Sequence, residues 1–99
     1  MEKRDIGQRL RETRKALGFK DRPTFLRRLY PQMGEAEIEE ARDRLEQWER
    51  GTAYPSRQFV RDLKRWKGVT FDWVFDDDMR SLPADVYEAV TKRRKGDAA

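Results

Sequence analysis

Asp76, Asp77 and Asp78 form the one carboxylate cluster in the sequence that could hold a metal or move a proton. Consecutive side chains at a helix end point in different directions and do not converge on one ligand. A polar, solvent-exposed end of a helix is therefore the more ordinary interpretation. The chain has no cysteine and no histidine, which excludes disulfides, thiolate nucleophiles, the usual zinc sites and the commonest general base. Because the chain also lacks a glycine-rich phosphate loop, we expect no catalytic residue, no metal, no cofactor and no enzymatic activity.

Charge is distributed in blocks of alternating sign. The net charge is +4, with basic residues prevailing in 1–34, 51–70 and 92–99 and acidic residues in 35–50 and 71–91. Such alternation suits directional recognition of a charged partner or pairing of charges within the fold. An ordinary solvated surface accounts for most patterns of this kind.

Helical periodicity dominates the chain, and no segment of strand length alternates apolar with polar residues. The predicted helices are 5–17, 22–30, 35–50, one between Ser56 and Gly68, 71–75, and a last one that begins at Pro83. Side chains suited to helix N-caps are Asp21, Ser56 and Thr70, and glycines suited to helix ends are Gly18, Gly51 and Gly68. We expect the tail 92–99 to fray.

The apolar stripes of these helices predict one small all-α domain. They are Ile6, Leu10, Thr13 and Leu17, then Phe25, Leu26 and Leu29, then Ile38, Ala41, Leu45 and Trp48, then Phe59, Val60, Leu63 and Trp66, then Phe71, Val74 and Phe75. We assign 1–80 to this domain and 81–99 to a C-terminal helix and basic tail. In that helix Val86, Tyr87 and Val90 either dock on the domain, which we favour, or meet a second subunit. No apolar run approaches the ~18 residues of a membrane span, so a cytoplasmic protein with no membrane partner is expected.

Three stretches of the sequence carry a resemblance to a known family. They are Ile6-Gly-Gln-Arg-Leu10 through Leu17-Gly18-Phe19, Leu45-Glu-Gln-Trp48-Glu49-Arg50-Gly51 with Pro55-Ser56, and Gly68-Val-Thr-Phe-Asp72-Trp73-Val74. In this order they resemble the lambda-repressor-like (Cro/repressor, XRE-type) helix-turn-helix family over roughly residues 5–78. The resemblance implies five packed helices, of which 22–30 braces the DNA backbone and 35–50 enters the major groove.

The resemblance also implies which residues contact DNA. Base-reading positions of the family fall on Arg42, Asp43 and Gln47, with Arg44 beside them. Arginine, aspartate and glutamine side chains suit the edges of guanine, cytosine and adenine, respectively. Phosphate-binding positions fall on Lys20, Arg22, Arg50, Tyr54 and Arg57. We expect Arg42, Arg44 and Gln47 to project together from one exposed ridge, although Arg42 could instead pair with Glu39 or Glu46, and Arg44 with Glu40.

A structural ion pair is the third implication of the resemblance. The family joins an arginine of the first helix to a glutamate at the end of the third, and the matching residues are Arg14 and Glu49. Loss of one partner would leave a charge in low dielectric and cost ~3 kcal/mol. Two independent solvated charges are the alternative.

The chain departs from the family between Gly18 and Trp48, where roughly ten extra positions lengthen the recognition helix at its N-terminal end. That end carries Glu35, Glu37, Glu39 and Glu40, which the helix dipole favours but DNA repels. The leading hypothesis is a sequence-specific, repressor-like regulator of transcription that binds double-stranded DNA as a homodimer. The alternative is a protein-binding module, such as an antiactivator, that presents the acidic helix 35–50 to a basic partner.

Overall fold

The described chain is all-helical. The computed structural model describes the backbone of residues 2–98 and the side chains of residues 2–96. No strand occurs within that range, which confirms the predicted all-α class. The elements are α1 (Lys3–Ala16), α2 (Arg22–Leu29), α3 (Glu35–Arg50), α4 (Arg57–Lys67), α5 (Phe71–Asp76), a 3₁₀ turn (Met79–Ser81) and α6 (Ala84–Ala98).

Side-chain caps and glycines set the helix ends. Each predicted cap accepts a hydrogen bond from a backbone N–H three residues on: Asp21 from Thr24 at 3.0 Å, Ser56 from Phe59 at 3.1 Å and Thr70 from Trp73 at 3.1 Å. These bonds satisfy donors that the first helical turn leaves without a partner. Gly51 and Gly68 end α3 and α4 with φ of 80° and 75°, a left-handed geometry that glycine adopts without strain.

One apolar core joins the six helices. Helix α1 packs against α3, α5 and α6, α2 packs against α3 and α4, and α4 packs against α5. The buried apolar side chains are Ile6, Leu10, Phe25, Leu26, Ile38, Ala41, Leu45, Phe59, Val60, Leu63, Val69, Trp73, Val74, Leu82, Val86 and Val90. No helix among the described residues has the length and apolar character that crossing a membrane requires.

Helix α5 orients its aromatic residues differently from the sequence prediction. Trp73 is fully buried, and its Nε1 donates a 2.8 Å hydrogen bond to Thr13 Oγ1 on α1. Phe71 and Phe75, predicted as core residues, are only half-buried and stack on each other at a centroid distance of 5.9 Å. The reason is that Trp73 has a polar partner within the core, which the indole N–H needs when it is buried.

The C-terminal helix docks on the domain, and its basic end is helical. Val86 and Val90 are buried in the common core, while Tyr87 stays 43% exposed. Residues 92–98, where the sequence analysis expected a frayed tail, continue α6, and Ala99 lies outside the described residues. Arg94 fastens this part of α6 to the domain, because it binds Glu12 of α1 and lies over the Trp73 ring at 5.4 Å.

Candidate nucleic-acid interface

The outward face of α3 carries three polar residues in one row. Asp43, Gln47 and Arg50 are spaced at i, i+4 and i+7, and all three are exposed. The opposite face is fixed by Ile38 and Leu45, which are buried in the core. The core contact therefore determines which side of α3 faces solvent. We call Asp43, Gln47 and Arg50 the α3 ridge.

Arg42, Arg44 and Gln47 are all exposed, but they do not project together from one ridge, contrary to the expectation from the sequence. Residues two apart on a helix are separated by about 160° around its axis. Arg42 lines a cleft between α3 and α2, beside Arg27. Arg44 lines a different cleft on the α4 side, beside Asp62. The two arginines therefore flank the α3 ridge from opposite sides.

Ion pairs neutralise part of the charge on and around the ridge. Arg42 Nη2 lies 3.0 Å from Asp43 Oδ1, so its partner is neither Glu39 nor Glu46. Arg50 Nη2 lies 3.3 Å from Glu46 Oε1, and the Arg50 side chain is still 70% exposed. Arg44 has no carboxylate within 4.0 Å in the part of the chain that the structure describes, so it does not pair with Glu40.

The residues matched to phosphate positions surround the C-terminal half of α3. Lys20 and Arg57 are exposed, and Tyr54 is 51% exposed. Lys3 extends this group, since its ammonium lies 5.3 Å from the centroid of the Tyr54 ring. The cations Lys20 and Arg57, together with the phenol of Tyr54, therefore lie around the end of α3, and we call these three residues the basic border.

Arg22 departs from its predicted role. Its Nε donates to Glu49 Oε1 at 3.1 Å, and its Nη1 lies 4.0 Å from Glu46 Oε1. The guanidinium is three-quarters buried, with 26% of the side chain exposed. The charge that was predicted to meet a phosphate is thus directed toward two carboxylates of the protein itself.

A buried ion triad holds the ends of three helices together. Arg14 donates to Glu49 through Nε at 2.8 Å and through Nη2 at 3.0 Å, and these side chains are 3% and 1% exposed. The remaining Arg14 nitrogen, Nη1, donates to the carbonyls of Phe19 and Lys20 at 2.9 and 2.7 Å. Since Arg22 binds the same carboxylate, the triad orients α2 relative to α3 and thereby the ridge.

Arg9 has a structural role that sequence reasoning missed. Its Nε donates to Val74 O at 2.9 Å and its Nη2 to Phe75 O at 3.3 Å, which satisfies carbonyls at the end of α5. The position of Arg9 next to the buried stripe of α1 was a signal for an inward-leaning guanidinium. Its carbonyl partners depend on the docking of α5.

The first two turns of α3 are acidic and exposed. Glu37 accepts a 3.1 Å hydrogen bond from the Gly34 backbone N–H, and Glu35 binds Arg27 of α2 at 3.1 Å. Glu39 and Glu40 are exposed without ion pairs among the described residues. These carboxylates favour the helix through its dipole, and they make this end of α3 unfavourable for phosphates.

No family model, curated protein or solved structure matches this chain. The resemblance to the helix-turn-helix family is therefore carried by residues of this chain alone. Among the described residues, no three carboxylates are grouped to hold a metal, and Asp78 instead accepts from the Arg80 backbone N–H at 3.1 Å.

A cleft of 230 Å³ lies behind the ridge, between α2, α3 and α4. Tyr30 donates its phenolic proton to Asp62 across this cleft, and Gln58 donates to the same carboxylate at 2.7 Å. Burial raises the pKa of the Tyr30 phenol above its ordinary 10.0, and the hydrogen bond to Asp62 raises it further. The neutral phenol is thus the form that the fold favours.

Alkaline titration should reveal this hydrogen bond. Because the folded-state pKa is above the unfolded one, its contribution to stability is complete below pH 10.0 and is lost as the pH rises through the folded pKa. The phenolate absorbance of Tyr30, taken as the difference between the protein and its Tyr30→Phe variant, should shift to lower pH in Asp62→Ala and stay unchanged in Arg61→Ala. An unchanged titration in Asp62→Ala would contradict the assignment.

Proposed function

We propose that this protein is a sequence-specific regulator of transcription, repressor-like and non-enzymatic, that binds double-stranded DNA through the C-terminal half of α3. The observation that carries the proposal is the α3 ridge, exposed beside the basic border of Lys20, Tyr54 and Arg57. Asp43 can accept a hydrogen bond from a base edge, and Gln47 can form a bidentate pair with one, while the basic border binds phosphates.

The acidic turns determine the direction of approach. Glu35, Glu39 and Glu40 would repel phosphates if α3 entered the groove by its N-terminus, as the family does. We therefore propose that the last two turns of α3 and residues 51–57 meet the duplex, while the first two turns point away. A homodimer would place two such faces on half-sites about 34 Å apart.

Fluorescence anisotropy with duplexes selected from a random-sequence pool tests the proposal. We expect log K to fall linearly with log salt concentration, as it does when cations release counterions from DNA. Arg57→Gln should weaken binding to all sequences alike and reduce the salt slope by about 1. Gln47→Ala should instead reduce discrimination at one base pair by about 1–3 kcal/mol.

Arg80→Gln is the matched control, since it removes the same charge from the 3₁₀ turn, which packs on α5. It should leave the affinity within about twofold if the duplex binds at the C-terminal half of α3. Absence of any salt-dependent binding to the selected duplexes would reject the proposal.

A protein-binding module is the second candidate, favoured by the exposed carboxylates of Glu39 and Glu40. An acidic helix face suits a basic partner surface. The double variant Glu39→Lys/Glu40→Lys separates the two candidates within the same assay. Its affinity for DNA should rise if DNA is the ligand, whereas its affinity for a basic protein partner should fall if a protein is.

A further inference from the structure

The solvent side of α4 carries a row of basic side chains. Arg57, Arg61 and Lys64 are spaced at i, i+4 and i+7, so they lie on successive turns of one helix face, and all three are exposed. Phe59 and Leu63 are buried in the core on another side of the helix, and they fix its orientation. We call Arg57, Arg61 and Lys64 the α4 stripe.

No carboxylate pairs with the α4 stripe. Within the part of the chain that the structure describes, none of its three cations has an acidic group within 4.0 Å. Asp62 is the single acid of α4, and its two carboxylate oxygens accept hydrogen bonds from Tyr30 and Gln58 instead. The positive charges of the stripe are therefore presented to solvent unpaired.

The stripe opposes the helix that carries it. Like charges three or four positions apart repel each other on a helix surface, and Arg61 has Arg57 on one side and Lys64 on the other. Helix α3 offsets its own exposed cation differently, since Glu46 lies 3.3 Å from Arg50 one turn away. A repulsion that the fold does not offset is relieved when an anion binds along the stripe.

The stripe continues the basic border along α4. Arg57 belongs to both, because it is the first residue of α4 and follows the loop that leaves α3. Trp48 of α3 packs on Phe59 of α4 with ring centroids 4.9 Å apart, which holds the start of α4 beside the end of α3. From Arg57 to Lys64 the helix rises about 10 Å, and over that length one DNA strand carries about three phosphates.

We propose that the α4 stripe binds the phosphodiester backbone of the duplex that the α3 ridge reads, which adds Arg61 and Lys64 to the phosphate-binding residues. The inference rests on the proposed function for the identity of the duplex, and the continuity with the basic border favours this anion over an acidic protein. Arg61 can donate a pair of hydrogen bonds to one phosphate, and Lys64 adds a compact charge. Backbone contacts carry no sequence information, so the stripe adds affinity and leaves base discrimination to the ridge.

Fluorescence anisotropy of the full chain with the selected duplex, repeated over a series of salt concentrations, tests the stripe. Arg61→Gln and Lys64→Gln should each reduce the salt slope by about 1, and the double variant should reduce it by about 2. Neither single change should alter the ratio of affinities for the selected duplex and a duplex with one base pair replaced. Lys64→Arg keeps the charge and should retain the slope.

Lys92→Gln is the control for charge, because Lys92 is an exposed lysine of α6, which packs against α1. Like the stripe, it has no ion pair among the described residues. Its replacement should leave the slope unchanged. Urea unfolding is the control for folding: Arg61→Gln should be as stable as the parent or slightly more stable, because it removes a repulsion within α4.

The outcomes separate the stripe from the proposed function. If Arg57→Gln lowers the slope while Arg61→Gln and Lys64→Gln do not, or if Lys92→Gln lowers it equally, the stripe is refuted and the proposed function stands. If the stripe variants lower the slope while Gln47→Ala leaves base discrimination unchanged, the stripe is supported and the reading of bases by the ridge fails. If no duplex binds in a salt-dependent way, both are refuted.

Discussion

Replacement of Glu49 by alanine is expected to lower the free energy of unfolding by about 3–5 kcal/mol, the usual consequence of removing one partner from a buried ion pair. The side chain is 1% exposed and neutralises both Arg14 and Arg22. Without it, the buried Arg14 guanidinium keeps only the carbonyls of Phe19 and Lys20. Urea unfolding followed by circular dichroism measures the change, and a decrease this large is a substantial part of a typical domain's stability.

Glu46→Ala is the matched control for this experiment. Glu46 lies three residues earlier on the same helix and contacts Arg50 and Arg22 at a partly exposed position. Its loss should cost less than about 1 kcal/mol. The double variant Arg14→Met/Glu49→Leu should recover much of the stability that Glu49→Ala loses, because it leaves no unpaired charge. Equal losses in Glu49→Ala and Glu46→Ala would show that the triad is not buried in solution.

The triad also shows how far sequence reasoning reaches. The resemblance to the helix-turn-helix family was enough to suggest that Arg14 meets Glu49. The third member, Arg22, was assigned to phosphate because one of the family's phosphate-binding positions falls on it, and a cation at the start of a helix suits either role. Which anion it meets depends on how closely α2 crosses the end of α3, and that crossing is a tertiary property.

The α3 ridge was predictable in part. Periodicity placed α3 at residues 35–50 and identified its buried side, and Asp43, Gln47 and Arg50 are exposed as that pattern requires. The separation of Arg42 from Arg44 follows from the helical repeat alone, since positions i and i+2 do not face the same way. That signal is present in the sequence.

Features that depend on the docking of α5 and α6 were not predictable. The burial of Trp73 requires Thr13 of α1 as its hydrogen-bond partner, 60 positions away. The contact that holds the basic end of α6 against α1 requires Glu12, 82 positions from Arg94. No local propensity encodes contacts of this range.

The close approach of α1 to α3 depends on a residue with no side chain. Gly7 is buried, and a Cβ built on it would lie 2.6 Å from the carbonyl oxygen of Glu49 and 2.9 Å from its carbonyl carbon. Both are backbone atoms of α3, so no rotamer change can relieve the contact. The same crossing brings Arg4 against Gly51, where a Cβ would lie 2.6 Å from Arg4 Cα.

Gly7→Ala should therefore lower the free energy of unfolding by about 2 kcal/mol, because overpacking outweighs the gain of up to ~1 kcal/mol in helix propensity. To admit the methyl group, α1 has to move away from α3, which also lengthens the contacts between Arg14 and Glu49. Gly96→Ala is the control: it is the same change within α6, where a Cβ meets no heavy atom within 4 Å, and it should leave stability unchanged or slightly raised. Urea unfolding of both variants measures the difference. If Gly7→Ala proves as stable as the parent, the helices can separate freely, and their contact cannot be what positions the α3 ridge.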